Sequence, residues 1–222
     1  MNFLQICQEV NTMCGMQGSM STAYGATGYQ ATLAKAVINA WIDIQNLRRE
    51  WRFMRKSVTF NTVTSQYEYT LTNIFGPGNP QDIALWVPGM VYYASGDANM
   101  PLYMYEYDAY KHYDIAAQSN STPYVYAADP IDRHLYINPP DGIYSITAHY
   151  WRTPQILSAN TDTPVLPVQF HRAIVYRAAA DFAAFMGNVN EYQVYTQKAD
   201  SMIGSIMRTE VPAKRVKPKG IC

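Results

Sequence analysis

Residues 29–60, YQATLAKAVINAWIDIQNLRREWRFMRKSVTF, hold two different periods. Leu33, Val37, Ala40, Trp41, Ile44, Leu47 and Trp51 fall on one stripe at about 100° per residue, as in a helix facing a core. After Arg52 the period becomes two: Val58 and Phe60 alternate with Ser57, Thr59 and Asn61, as in a strand. Thr27, followed three residues on by Gln30, predicts a capping box at the helix start. Arg48, Arg49, Arg52, Arg55 and Lys56 gather at its end, where cations oppose the helix dipole and pair with acids nearby. Contact with DNA phosphates is the less favoured reading of that cluster. Ile38 and Ile42 lie four apart on the opposite face. A helix with two apolar strips is expected to pack on two sides, and a neighbouring subunit is a candidate for the second.

Working outward, residues 2–13 form a short helix with Phe3, Ile6, Cys7 and Val10 on one side. Residues 14–28 turn to Gly, Ser, Thr, Met and Gln, the composition of a loop or extended arm. Beyond residue 57, short aromatic runs at 57–61, 66–71, 83–87, 90–94, 102–107, 123–127, 134–138 and 143–151 read as strands between turns. Pro139-Pro140-Asp141-Gly142 is a turn with a mechanism, since Pro fixes φ and Gly accepts φ > 0. Residues 108–118 read as a short inserted helix.

The period returns to helical after Pro164 and Pro167. A helix over 168–186, closed by Gly187-Asn188, places Val168, Val175, Ala179, Phe182, Ala183 and Met186 on one face. A second helix over 190–208 aligns Tyr192, Tyr195, Ala199, Met202, Ile203 and Ile206. The expected fold is therefore α+β: a helical bundle from both chain ends, an inserted antiparallel β-domain and an extended C-terminal tail. Its parts are an N-terminal arm and helix at 1–56, the β-domain at 57–153, a helical hairpin at 154–209 packing on the first long helix, and the tail at 210–222. The core of the bundle is expected at Leu33, Val37, Trp41, Ile44, Leu47 and Trp51. Ile38, Ile42, Phe170, Ile174 and Phe185 are the candidates for contact between subunits.

Composition narrows the function. The 17 basic and 17 acidic residues cancel, and only 15% of the chain is charged. A neutral surface is poorly suited to tight free-standing nucleic-acid binding, and it leaves self-association unopposed. The 19 tyrosines suit either interfaces or a β-rich core, and the two uses are compatible. Cys7, Cys14 and Cys222 have no metal-type spacing and read as reduced structural thiols. The N-terminus lacks a basic n-region, and the uncharged stretch from Val10 to Ala34 is too polar to span a membrane.

No enzyme emerges. The histidines His112, His134, His149 and His171 are scattered, without a His-Glu-x-x-His pair, and no Gly-x-Ser-x-Gly elbow occurs. Asp129, Asp132, Arg133 and His134 read as a polar hairpin loop, and Glu106, Asp108, His112 and Asp114 as surface polar residues. No cofactor or metal is expected.

Several of these pieces carry a resemblance. Ala40-Trp41, Ile44-Gln45, Arg48, Trp51 to Ser57 and Gln66 to Leu71 occur in order, followed by Leu166-Pro167, the run Phe170 to Tyr176 and Ala178-Ala179. In sequence and in the order of parts, most of residues 29–208 resembles the head-to-tail adaptor proteins of tailed bacteriophages. The resemblance implies a structural virion protein without enzymatic activity, assembled in the bacterial host cytoplasm and located in the neck between head and tail. It implies a homo-oligomeric ring, typically of twelve copies, docked under the portal, with a nozzle protein or the next tail ring below. Viral DNA would pass through the ring without sequence-specific binding, and no membrane is involved. The portal-binding tail would be Val211, Pro212, Ala213, Lys214, Arg215, Val216, Lys217, Pro218, Lys219, Gly220 and Ile221. The long uncharged arm at 14–28 departs from the family's pattern, and contact with a neighbour or the next tail ring is the expectation for it. The alternative function is a tyrosine-rich carbohydrate-binding module of a phage tail; a hydrolase using Asp132 and His134 is a third.

Overall fold

The first helix, α1 (Phe3–Met13), starts at a reciprocal cap: Asn2 Oδ1 accepts from the Gln5 N–H and Gln5 Oε1 from the Asn2 N–H, each at 2.9 Å. Phe3, Ile6, Cys7 and Val10 form its buried face. The computed structural model describes residues 1–79, 81–96, 98–112 and 119–211. The architecture is α+β, and the chain divides into a helical unit (Met1–Met54 with Pro154 onward) and a β unit (Arg55–Thr153).

The second helix, α2 (Gly28–Asn46), is shorter than its apolar period implies. Thr27 stands at its N-cap but makes no side-chain capping bond, so the expected Thr27/Gln30 box does not form. The other end is closed by Trp51. Its indole Nε1–H donates to the carbonyls of Ile44 and Gln45, each at 3.1 Å, satisfying two acceptors that the last turn leaves open. For Trp51 to reach back, the chain must leave the helix at Leu47. Leu47 is therefore a C-cap, 48% exposed, and not a core residue as its spacing implied. Leu33, Val37, Trp41, Ile44 and Trp51 are each at most 1% exposed. Nor do the cations close the helix dipole. Arg48 and Arg49 lie beyond the helix, Arg52 sits in a 3₁₀ turn (Arg52–Met54), and Arg55 and Lys56 open strand β1 (Arg55–Asn61).

A 3₁₀ turn (Val168–Phe170) leads into α5 (His171–Phe185), and α6 (Val189–Glu210) follows a tight turn in which Gly187 has φ +73°. The centre of the unit is α5, in contact with α1, α2 and α6. Ala173, Ala178, Ala179, Ala180 and Ala183 are all buried there, and their small side chains let neighbouring helices approach closely. Val168 and Met186, assigned to the same face by period, are exposed because one lies in the 3₁₀ turn and the other at the C-cap.

In the β unit, the described residues form two four-stranded sheets that share the main core, and a smaller buried cluster gathers Tyr110, Val125 and Ala127. The first runs β1-β8-β3-β4, with β8 (Ser145–Arg152) central, β3 (Ile83–Ser95) and β4 (Ala98–Pro101), all antiparallel. The second runs β2-β7-β6-β5: β2 (Glu68–Tyr69), β7 (Leu135–Ile137), β6 (Val125–Ala128) and β5 (Tyr103–Met104). The β5–β6 pair is parallel, an exception to the antiparallel expectation. Two expected strands, 83–87 and 90–94, are one. β3 carries Pro88 and Gly89 through a bulge between the Trp86–Tyr150 and Val91–Ala148 pairs. Gly89 takes φ +70° there and donates its N–H to the Tyr126 hydroxyl at 2.8 Å. A short helix, α3 (Leu71–Phe75), replaces the end of the expected 66–71 strand because Thr70 and Asn73 cap it reciprocally. Of the helix expected at 108–118, α4 (Tyr107–His112) is present and residues 113–118 lie outside the described residues.

Candidate interaction surfaces

The residues weighed for catalysis have structural partners. Asp129 Oδ1 accepts from the N–H of Ile131 (2.7 Å) and of Asp132 (3.0 Å), forming an Asx turn. Burial pushes the Asp129 carboxyl up, but hydrogen bonds from Tyr107 and these two amides hold it below its ordinary range. His134 Nδ1 lies 2.9 Å from Glu68 Oε1, which also accepts from the Tyr136 hydroxyl at 3.0 Å. Glu106 and Asp108 are exposed; the His112 side chain and Asp114 lie outside the described residues. Among the described residues no three His, Cys, Asp or Glu converge as metal ligands, and no helix is long and apolar enough to cross a membrane. Burial pushes the Cys7 thiol up to about 12 and, with help from Glu191, the Cys14 thiol up to about 11, which disfavours the thiolate of both free cysteines.

The arm at 14–28 lies on its own unit. Asn11 Nδ2 donates to the Gly18 carbonyl, Gln8 Nε2 to that of Met20 and the Tyr29 hydroxyl to that of Gln17, each at 2.9 Å. Asn160 Oδ1 accepts from the N–H of both Ala23 and Tyr24 at 2.9 Å, and Met20 is buried. These are long-range polar contacts that no local pattern announces.

The five candidates for subunit contact separate into groups. Phe170 and Ile174 are buried within the helical unit, 9% and 0% exposed, so they serve its core and not a neighbour. Ile174 lies on the part of α5 covered by its contacts with α1, α2 and α6, and Phe170 is buried in the 3₁₀ turn that precedes it. Ile38 and Ile42 are half-buried. Phe185 is exposed, beside Met186 and Val189 at the tip of the α5–α6 turn. Of the tail, Val211 is half-buried directly after α6, and Pro212 to Ile221 lie outside the described residues.

Two grooves run along the α5–α6 pair. One, of about 450 Å³, has Ile44, Leu47, Ile203 and Met207 as its apolar floor and Asp43 and Asp200 on its rim. Arg177 meets Asp43 at 3.6 Å and Asp181 at 3.9 Å there. The other, of about 520 Å³, is lined by Arg172, Tyr176, Val194, Lys198 and Met202. Lys198 Nζ lies over the rings of Tyr176 and Tyr195, 5.6 and 5.9 Å from their centroids.

The helical unit thus carries two grooves, one with an acidic rim and one lined by Arg172 and Lys198. No curated protein matches the chain. Residues 1–216 match the family model described as SU10 adaptor protein, and the chain belongs to that family of phage adaptor proteins.

Proposed function

We propose that this protein is the head-to-tail adaptor of a tailed phage: a subunit of a ring, twelvefold by family likeness, that docks on the portal and links it to the tail or nozzle. The match over residues 1–216 carries the reading. Bundle, β unit and C-terminal segment follow the order that the resemblance implies. The segment after α6 has Lys214, Arg215, Lys217 and Lys219 interleaved with Val216, Pro218 and Ile221. Cations alternating with apolar residues suit a chain that gains order on a partner's surface. In this reading Val211 to Ile221 seat on the portal, Ile38, Ile42 and Phe185 face neighbouring copies, and the neutral surface lets DNA slide through the channel.

The test is deletion of residues 212–222. The shortened subunit retains every described residue and is expected to fold with the same helix content. It should fail to co-purify with the portal of the same phage, whereas the full chain does. Undiminished portal binding by the shortened chain would overturn the assignment of the tail.

A further inference from the structure

The two grooves lie on opposite flanks of one helix. On α6, Asp200, Ile203 and Met207 point one way and Val194, Lys198 and Ser201 another, about 150° apart at 3.6 residues per turn. Between them Ala199 and Ile206 form the buried stripe. The flanks are also unlike in charge. On the first, Arg177 is the one guanidinium set against Asp43 and Asp181, and Asp200 makes no ion pair among the described residues. Burial pushes the Asp181 carboxyl up; Arg177 opposes that and Asp43 adds to it, so this flank is short of positive charge. On the second, Lys198 makes no ion pair among the described residues, and Arg172 meets Glu9 at 3.3 Å while its side chain stays 65% exposed. Each flank also leaves an aliphatic side chain in water: Leu47 on the acidic side and Val194 on the basic side, both 48% exposed.

We propose that the acidic groove receives the basic flank of a second copy of this chain, with Lys198 set between Asp43 and Asp200 and Val194 against Leu47 and Ile203. A two-fold contact of the acidic flank with itself would oppose like charges. Joining unlike flanks is heterologous and repeats from copy to copy, the kind of contact that closes into a ring. The pairing rests on the ring proposed above and names the surfaces that make it.

Charge reversal with rescue tests it on the full-length protein, reading the mass of complexes formed alone and with the portal. Lys198→Glu and Asp200→Lys lie on exposed helix positions, and circular dichroism checks that each variant is folded. Each alone is expected to lower the assembled fraction on the order of tenfold or more, and the Lys198→Glu/Asp200→Lys double variant to recover it. Single variants that assemble like the parent, or a double variant no better than the singles, overturn the pairing. Loss with Asp200→Lys but not with Lys198→Glu overturns it too, and points instead to a different cationic occupant, such as the segment Lys214 to Lys219. If the parent chain forms no ring either alone or with portal, the ring itself fails, an outcome distinct from a ring indifferent to these charges.

Discussion

In the helical unit, α5 buries five alanines, and charged groups such as Lys198 and Asp200 stand on α6 without an ion-pair partner among the described residues. In the β unit, Tyr69, Tyr126 and Tyr150 are buried in the core, and several tyrosine hydroxyls are tied to partners within the unit. Tyr69 donates to the Gln66 carbonyl (2.9 Å), Tyr150 to Asp82 (3.0 Å) and Tyr136 to Glu68 (3.0 Å). Charges there are also consumed locally: Asp82 meets Lys56 at 2.7 Å and Arg152 at 3.3 Å. A unit that spends its polar groups internally has fewer left for partners. The two units therefore offer different chemistry to partners: the grooves carrying Lys198 and Asp200 on the helical unit, and the exposed rings of Tyr67, Tyr103, Tyr105 and Tyr124 on the β unit.

The comparison can be broken most forcefully at Trp51. Trp51→Ala removes a fully buried ring stacked on Phe53 at 5.4 Å and both bonds that close α2. A loss of about 3–5 kcal/mol is expected by denaturant unfolding, with hydrogen-exchange protection falling first at the end of α2. Next comes Gln45, which is 1% exposed. Its Oε1 accepts from the Gln155 N–H at 2.7 Å and its Nε2 donates to the Gln155 carbonyl at 3.0 Å. Gln45→Ala strands both backbone groups and should cost about 1–3 kcal/mol in the same measurement.

The β unit is probed at Asp82. Burial pushes its carboxyl up, but hydrogen bonds from Lys56 and Tyr150 and the charges of Lys56 and Arg152 bring it below its ordinary value. A depressed carboxylate stabilises the fold above its unfolded pKa of about 3.9 and loses that contribution as pH falls through the folded value. Asp82→Asn should therefore cost about 1–2 kcal/mol at pH 7, a modest figure because Lys56 is largely in water, and the difference from the parent should vanish in strong acid. The smallest effect is expected at Leu47. Leu47→Asn should change subunit stability by no more than about 0.5 kcal/mol, whereas Ile44→Asn on the same apparent stripe should unfold the helical unit.

That last pair shows what local pattern can and cannot reveal. Helices α1, α2, α5 and α6 are legible in the sequence because each sustains an apolar period over several turns, although that period does not mark their ends. Leu47 was misread because its phase is right while the chain has already turned, under the pull of an indole four residues on. Phe170 and Ile174 were misread because a period separates faces but does not say that α5 is enclosed on several of them. In the β unit, Pro88-Gly89 looks like a break, and only cross-strand pairing with β8 reveals a bulge. Strand β4, Ala-Asn-Met-Pro, has no β-formers to announce it. The Thr70-x-x-Asn73 box that starts α3 is a local signal in the sequence, four residues long and inside a run of strand-forming residues. The acidic groove draws side chains from α2, α5 and α6 and the basic one from α5 and α6, so neither has a signature in any one helix.

The most direct measurement is the mass of the full-length protein in solution, alone and mixed with the portal of the same phage. The adaptor account predicts a large complex holding many copies of the chain once portal is present, whatever the mass of the free protein. A chain that stays monomeric and unbound in the presence of portal would contradict it.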